Sequence, residues 1–247
     1  MTDRTALVAG GGGGIGSAIC RRLASDGLVV LVGYHASADR AEALAAELPG
    51  DGHRAVQVAV EDSTALAALA ADVAASEGRL DVLVNCAGVT RPVAHDDLDG
   101  LDDELIDQIF ATNWRGPFAT IRAFRGMLEA SDDAVVVNIS SVAGLTGQGS
   151  NVAYCASKAA LDSMTRSLGR ALAPTIRIMS VSPGWVLGEY ASRMPDEVIA
   201  VQRDATPLNR LATGEDVGAA VSAVVHDLPF TTGTIVNVDG GRPLGVA

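Results

Sequence analysis

Aromatic residues are scarce, 4% of 247 positions, so the core cannot rest on large rings. It must be filled by Ala, Val, Leu and Ile, which suits Val-rich buried strands covered by Ala-rich helices. Cysteine is scarce too: Cys20, Cys86 and Cys155 form no CxxC pair and none stands near a histidine at metal-ligand spacing. This argues against disulfides and structural zinc, and no metal site is expected; the thiols read as small buried hydrophobes. The four histidines have no metal spacing and no Gly-x-Ser-x-Gly motif accompanies them, so a zinc enzyme or serine hydrolase finds no support. No run of about 20 apolar residues exists. Thr2, Asp3 and Arg4 lead straight into a short strand without a basic leader and cleavage site. A cytoplasmic protein with no membrane partner is expected. Basic residues number 18 against 30 acidic ones, a net charge of −12 that repels phosphate backbones and excludes nucleic acid as an expected partner.

What is present is an alternation of short apolar runs and helical spacing. Thr5 to Ala9, Leu28 to Gly33, Ala55 to Val60, Leu80 to Asn85, Ala134 to Ser140, Ile176 to Ser182 and Thr234 to Val238 read as seven strands. Helical spacing falls at Ile15 to Asp26, Asp39 to Leu48 and Ala65 to Glu77, then from Leu101 to Leu128 in two pieces broken near Gly116 and Pro117, and from Val152 to Ala173. Such alternation predicts right-handed crossovers and a seven-stranded parallel sheet with helices on both faces, a single α/β Rossmann-type domain over residues 1–247. Residues 184–213, with Pro183, Pro195 and Pro207, read as a long substrate loop or lid.

Five glycines follow the first strand. Gly10, Gly14 and Gly16 give a Gly-x-x-x-Gly-x-Gly pattern between strand and helix, where the backbone can approach a pyrophosphate and helix N-terminal N–H groups face the anion. At the end of the second strand, Tyr34, His35, Ala36 and Ser37 offer no carboxylate to accept from a free ribose hydroxyl. This favours NADPH over NADH, with His35, Ser37 and Arg40 as candidates to meet a 2′-phosphate.

Tyr154 and Lys158 lie four residues apart and share a helix face. Ser141 follows the fifth strand, where the ligand crevice of a parallel sheet opens, and Asn113 lies upstream in the helical region. These four, in this order, resemble the Asn, Ser, Tyr, Lys tetrad of the short-chain dehydrogenase/reductase family. Supporting likenesses are the glycine loop, the Asn85, Cys86, Ala87, Gly88 run, Pro183 with Gly184, and Asn237 to Gly241.

The resemblance implies hydride transfer between a nicotinamide and a carbonyl carbon, with Tyr154 as acid, Lys158 on the nicotinamide ribose, Ser141 on the substrate oxygen and Asn113 positioning a water. Cofactor contacts are implied for Gly10, Gly12, Gly13, Gly14, Ile15 and Gly16. Further contacts are implied for Tyr34, His35 and Ser37, for Asn85, Ala87 and Gly88, and for Pro183, Gly184 and Val186 beside Tyr154 and Lys158. The chemistry agrees: an ammonium roughly 4 Å from a phenol contributes about 4 kcal/mol at an effective dielectric near 20, enough to lower the phenol's pKa by up to about three units.

Within the family the likeness is to 3-oxoacyl-(acyl carrier protein) reductases and polyketide ketoreductases, through Gly88 to Arg91 and the Asn-Val-Asp-Gly-Gly run. The family's usual Thr before the loop is replaced by Ala9, and Gly13 stands where a basic residue is common. The family's carrier-docking basic region here reads Glu129, Ala130, Ser131, Asp132, Asp133, which disfavours an acidic carrier. Thr90 to His95, Leu145 to Ser150, Trp185, Leu187, Tyr190 and Met194 are expected to shape a mainly apolar substrate site. The expected protein reduces a ketone, free or as an acyl thioester, and forms a homotetramer through helices around residues 113–128 and 152–173. Two alternatives stand beside it: an NAD(P)-dependent alcohol dehydrogenase and a redox-silent nucleotide sensor.

Overall fold

A computed structural model describes residues 4–188, 191 and 194–242. The strands β1 (Thr5–Ala9), β2 (Val29–Tyr34), β3 (Arg54–Gln57), β4 (Val82–Asn85), β5 (Ala134–Ile139), β6 (Ile176–Pro183) and β7 (Ile235–Val238) form one parallel sheet. Their order is β3-β2-β1-β4-β5-β6-β7, so the chain changes direction across the sheet between β1 and β4. A crevice opens at the carboxyl ends of the strands at such a switch point.

Both faces are covered because the strands are apolar on both. Successive side chains point to opposite faces: Ala6, Val8, Val30, Val32, Val82 and Val84 enter one core cluster, and Leu7, Ala9, Leu31 and Leu83 enter the other. Against the first pack α1 (Gly14–Ser25), α2 (Ala38–Glu47) and α9 (Gly214–His226) through Ile19, Leu23, Leu44, Val217 and Val221. Against the second pack α3 (Ser63–Ser76), α5 (Gly116–Glu129) and α7 (Val152–Ala171) through Leu66, Val73, Phe124, Leu128 and Leu161. Phe124 is the one aromatic among the largest fully buried side chains, as the composition requires.

Three features depart from the sequence reading. The long helical region is not broken by Pro117, which sits harmlessly in the first turn of α5; α4 (Asp103–Phe110) runs into a π-helical turn at Ala111–Arg115 and on into α5. β3 stops at Gln57, and the chain then turns, with Asp62 N–H donating to the Ala59 carbonyl at 3.0 Å. Three helices were not anticipated: the short α6 (Ala143–Thr146), α8 (Asp196–Asp204) inside the long loop, and α9, whose N-terminus is fixed by a capping box between Thr213 and Asp216.

The base of the loop is clamped. Val186 bridges Ala212, with Leu187 N–H donating to the Ala212 carbonyl at 2.8 Å and Ala212 N–H to the Trp185 carbonyl at 3.0 Å. Among the described residues, no helix is long and apolar enough to cross a membrane.

Candidate active site

The glycine loop is shaped by contacts that exclude side chains. Gly10 has φ +83°, and a Cβ there would lie 2.7 Å from the Ala87 nitrogen, so the β1 and β4 loops touch backbone to backbone. A Cβ on Gly16 would run into the Gly10 carbonyl oxygen. Gly33 is likewise confined by the Val8 carbonyl at 2.5 Å, and its own carbonyl accepts from Gly12 N–H at 3.4 Å. No side chain caps α1 at Gly13 and no acidic residue occupies its first turn, which leaves the positive end of the helix free for an anion. This cradle fits a dinucleotide's pyrophosphate.

Lys158 and Tyr154 share one face of α7. Asn151 starts this helix by accepting from Tyr154 N–H at 2.7 Å, and its Nδ2 donates to the Arg91 carbonyl at 2.8 Å, tying α7 to the loop after β4. The Lys158 ammonium lies 5.8 Å from the centre of the Tyr154 ring and donates to the Ile139 carbonyl at 2.8 Å. The side chain is buried, 5% exposed. Burial pulls its pKa down from 10.5 to about 8, against the opposing pull of Cys86 and Asp162. At neutral pH it still carries its charge. Burial also pushes the Cys86 thiol up to about 11 and raises Cys20, so both stay protonated and inert.

Asn113 sits in the π turn, 1% exposed. Its Oδ1 accepts from Val89 N–H at 2.8 Å, and its Nδ2 donates to the Val89 carbonyl at 3.0 Å and Ser157 Oγ at 3.2 Å. Its side chain is therefore committed to holding the β4 loop and α7. Gly88 stands between the groups: a Cβ there would lie 3.4 Å from Asn113 Oδ1 and 3.8 Å from Lys158 Nζ. Ser141 Oγ accepts from Ala143 N–H at 3.2 Å, which fixes the hydroxyl beside the crevice.

Ser141, Tyr154, Lys158 and Gly88 open onto one cavity of about 650 Å³. It brings together the expected Gly10, Gly13, Gly14, Ile15, Gly16 and Gly88 with Ser141, Tyr154, Lys158, Pro183, Gly184 and Val186. Gly12, Tyr34, His35, Ser37, Ala87, Asn85 and Asn113 do not line it. Tyr34, His35 and Ser37 lie at the outer end of β2, next to the α2 N-terminus, where Ser37 makes no capping bond. The Asn85 side chain points into the interior instead, accepting from Thr120 Oγ1 at 2.6 Å and donating to Asn138 Oδ1 at 2.9 Å, while Asn138 donates to Thr165 at 2.9 Å. This buried chain of amides and hydroxyls fixes the strand ends beneath the site.

Of the expected substrate-shaping segments, Thr90, Thr146, Gln148, Gly149, Ser150, Trp185 and Leu187 line the cavity. His95 instead meets the Gly149 carbonyl at 3.0 Å and ties two rim loops together, and Tyr190 lies outside the described residues. Gln202 and Arg242 also line the cavity and were not anticipated. Among the described residues no group of three or more metal-ligating side chains occurs.

An ammonium beside a phenol and a hydroxyl, at the switch point of a doubly wound sheet with an anion cradle, defines a nucleotide-dependent oxidoreductase site. Residues 10–242 match the family described as "Enoyl-(Acyl carrier protein) reductase". The chain belongs to the short-chain dehydrogenase/reductase family, whose members use nicotinamide cofactors. It is 36% identical over 97% of its length, and 96% of the relative's, to a protein of Streptomyces violaceoruber named as ketoacyl reductase 2 of the granaticin polyketide synthase. It is 31% identical to a 3-oxoacyl-(acyl carrier protein) reductase of Staphylococcus aureus, covering 96% and 97% of the two chains. With a cis-4-hydroxycyclohexanecarboxylate dehydrogenase of Sinomonas cyclohexanicum it shares 34% identity over 98% and 97%. A solved short-chain dehydrogenase/reductase structure from Burkholderia xenovorans superposes with a TM-score of 0.91 at 30% identity, over 99% of this chain and 100% of the other.

Proposed function

We propose that the protein is an NADPH-dependent ketoreductase that converts a ketone to a secondary alcohol. The observation that carries this reading is the buried Lys158 ammonium 5.8 Å from the Tyr154 ring, in the cavity that also holds Ser141 and the glycine cradle. The glycine cradle and Lys158 would hold a nicotinamide cofactor, which when bound would supply hydride to the carbonyl carbon. Tyr154 donates the proton that the carbonyl oxygen then needs, and the Ser141 hydroxyl donates a hydrogen bond that holds this oxygen in place. Lys158 stabilises the phenolate left on Tyr154 and would hold the ribose of a bound cofactor. Asn113, its side chain engaged by Val89 and Ser157, keeps the β4 loop against α7. The three relatives are named for chemistry at a carbon bearing oxygen, which supports carbonyl over alkene reduction.

The preference for NADPH rests on the outer end of β2. Exposed His35 and Ser37 precede the uncapped N-terminus of α2, and no carboxylate stands among residues 34–37 to meet a free ribose. Glu129 with Asp132 and Asp133 at the end of α5 disfavour an acidic carrier, so a free ketone is the favoured substrate form. A cytoplasmic homotetramer, joined through α5 and α7, belongs to the same proposal; Trp114 and Phe118 stack at 6.2 Å and remain partly exposed on the first of these faces.

The test follows NADPH and NADH absorbance with β-keto thioesters, free ketones and secondary alcohols. Ketone-dependent oxidation of NADPH is expected. Indifference to every compound with both nucleotides would instead favour a nucleotide sensor.

A further inference from the structure

The cavity lining includes two polar side chains, Gln202 and Arg242, that the ketoreductase reading leaves without a task. Among the described residues its lining contains two cations, Lys158 and Arg242, and no carboxylate, although the chain as a whole carries a net charge of −12. Lys158 is engaged by the Ile139 carbonyl. Arg242 is not engaged: its Nη1 is covered from solvent and has no hydrogen-bond partner among the described residues. Gln202, from α8, lines the same cavity, and its Oε1 is covered and unpartnered in the same way. By contrast Arg210, in the segment after α8, is paired with Asp216 at 2.5 and 2.8 Å.

The backbone around Arg242 is built to hold it there. Gly240 and Gly241 have φ +68° and +78°, a turn that other residues rarely make. Gly241 N–H donates to Asp239 Oδ1 at 2.9 Å, and Leu208 N–H donates to the Gly240 carbonyl at 3.2 Å. A Cβ on Gly240 would come within 2.5 Å of Thr206 Cγ2, so the turn is pressed onto the segment that follows α8. Two separate elements are thus locked together, and each delivers an unsatisfied polar group to one cavity. Buried polar groups in folded proteins have partners, and where the protein supplies none a ligand does.

We propose that Arg242, assisted by Gln202, binds a carboxylate on the substrate, so that the enzyme's substrates are oxo acids. This rests on the ketoreductase reading of Tyr154 and Ser141. The ketone sits at those residues, the carboxylate at Arg242, and an apolar body joins them past Val89, Val142 and Leu187, which line the same space. A guanidinium offers paired donors that match the two oxygens of a carboxylate, and rotation of the Gln202 amide turns its Nε2 donor toward the same group. The Arg242 guanidinium balances one carboxylate; a phosphate dianion would call for a further cation beside it, and the other cation of the described lining, Lys158, is engaged by Ile139.

The experiment uses oxo acids of graded length, each paired with its methyl ester. Binding to the Tyr154→Phe protein saturated with NADPH is measured by calorimetry, and turnover is measured with the active enzyme. An acid should bind better than its ester by about ten- to a hundredfold, as expected for charge-assisted hydrogen bonds. Arg242→Met should abolish that ratio, Arg242→Lys should retain part of it, and the loss in turnover should appear in KM more than in kcat. Equal binding of acids and esters, or binding of neither, overturns the proposal. So does an Arg242→Met protein whose NADPH affinity falls while the acid-to-ester ratio persists, because Arg242 would then serve the cofactor. Neutral ketones reduced without preference for acids leave the ketoreductase reading standing and remove this one; the absence of any turnover removes the ketoreductase reading itself.

Discussion

Lys158 Nζ donates to the carbonyl of Ile139 at 2.8 Å, fixing a buried cation at the open end of β5. Lys158 is also the only lysine in the chain, so its titration is read without interference from other side chains. In the cofactor-free protein, NMR of selectively labelled lysine should show one side-chain signal titrating near pH 8, in place of the ordinary value of 10.5. A signal that titrates above pH 10 would mean the burial described here is absent.

The same displacement has a stability consequence. Below pH 8 both folded and unfolded chains carry the Lys158 proton, and the folded state bears the full penalty of a buried charge. Between about 8 and 10.5 the folded state releases its proton first, so stability rises with pH through this window by roughly 3 kcal/mol at most. Lys158→Met should lack this rise. Chemical denaturation of both proteins across that pH range measures the difference.

Asp81 anchors the opposite end of the sheet. Its carboxylate, 1% exposed, accepts from Arg79 at 2.6 Å, Ser131 Oγ at 2.6 Å and Thr5 N–H at 2.8 Å. Burial would raise its pKa, but these donors hold it below the ordinary value, so its contribution is present at neutral pH and lost as acid titrates it through that lowered pKa. Asp81→Ala should cost about 1–3 kcal/mol, chiefly by leaving the Thr5 N–H and Ser131 hydroxyl without their acceptor. Its KM values should stay at wild type below the melting transition, because the change lies far from the strand ends that carry the site.

Gly10→Ala tests the cradle. The substitution forces a side chain into a conformation at φ +83° that costs about 1–2 kcal/mol and drives Cβ to 2.7 Å from the Ala87 nitrogen. NADPH affinity, measured by fluorescence titration, should fall about tenfold or more. An unchanged affinity would place the dinucleotide elsewhere.

Much of this was legible because the strands are apolar on both faces and short, so the runs at Thr5 to Ala9 and Ala134 to Ile139 announce themselves. Tyr154 and Lys158 were legible because helical spacing alone puts them on one face. α9 was not, although Thr213 and Asp216 formed a readable capping signal, because its Val and Ala residues follow a proline-punctuated loop that masks the helical period. The π turn at Asn113 was hidden because it changes the hydrogen-bond pattern without changing the apolar spacing. Arg242 depends on two left-handed glycines and on contacts with Thr206 and Leu208, partners more than thirty residues away in the chain, and no local pattern encodes that meeting.

The most direct measurement compares NADPH oxidation by the wild-type protein and by Tyr154→Phe with one accepted ketone, together with equilibrium NADPH binding to both. Removing the phenolic proton should lower turnover about a hundred- to ten-thousandfold while NADPH affinity stays at wild type. A Tyr154→Phe protein that turns over at the wild-type rate would contradict the assignment of Tyr154 as the proton donor.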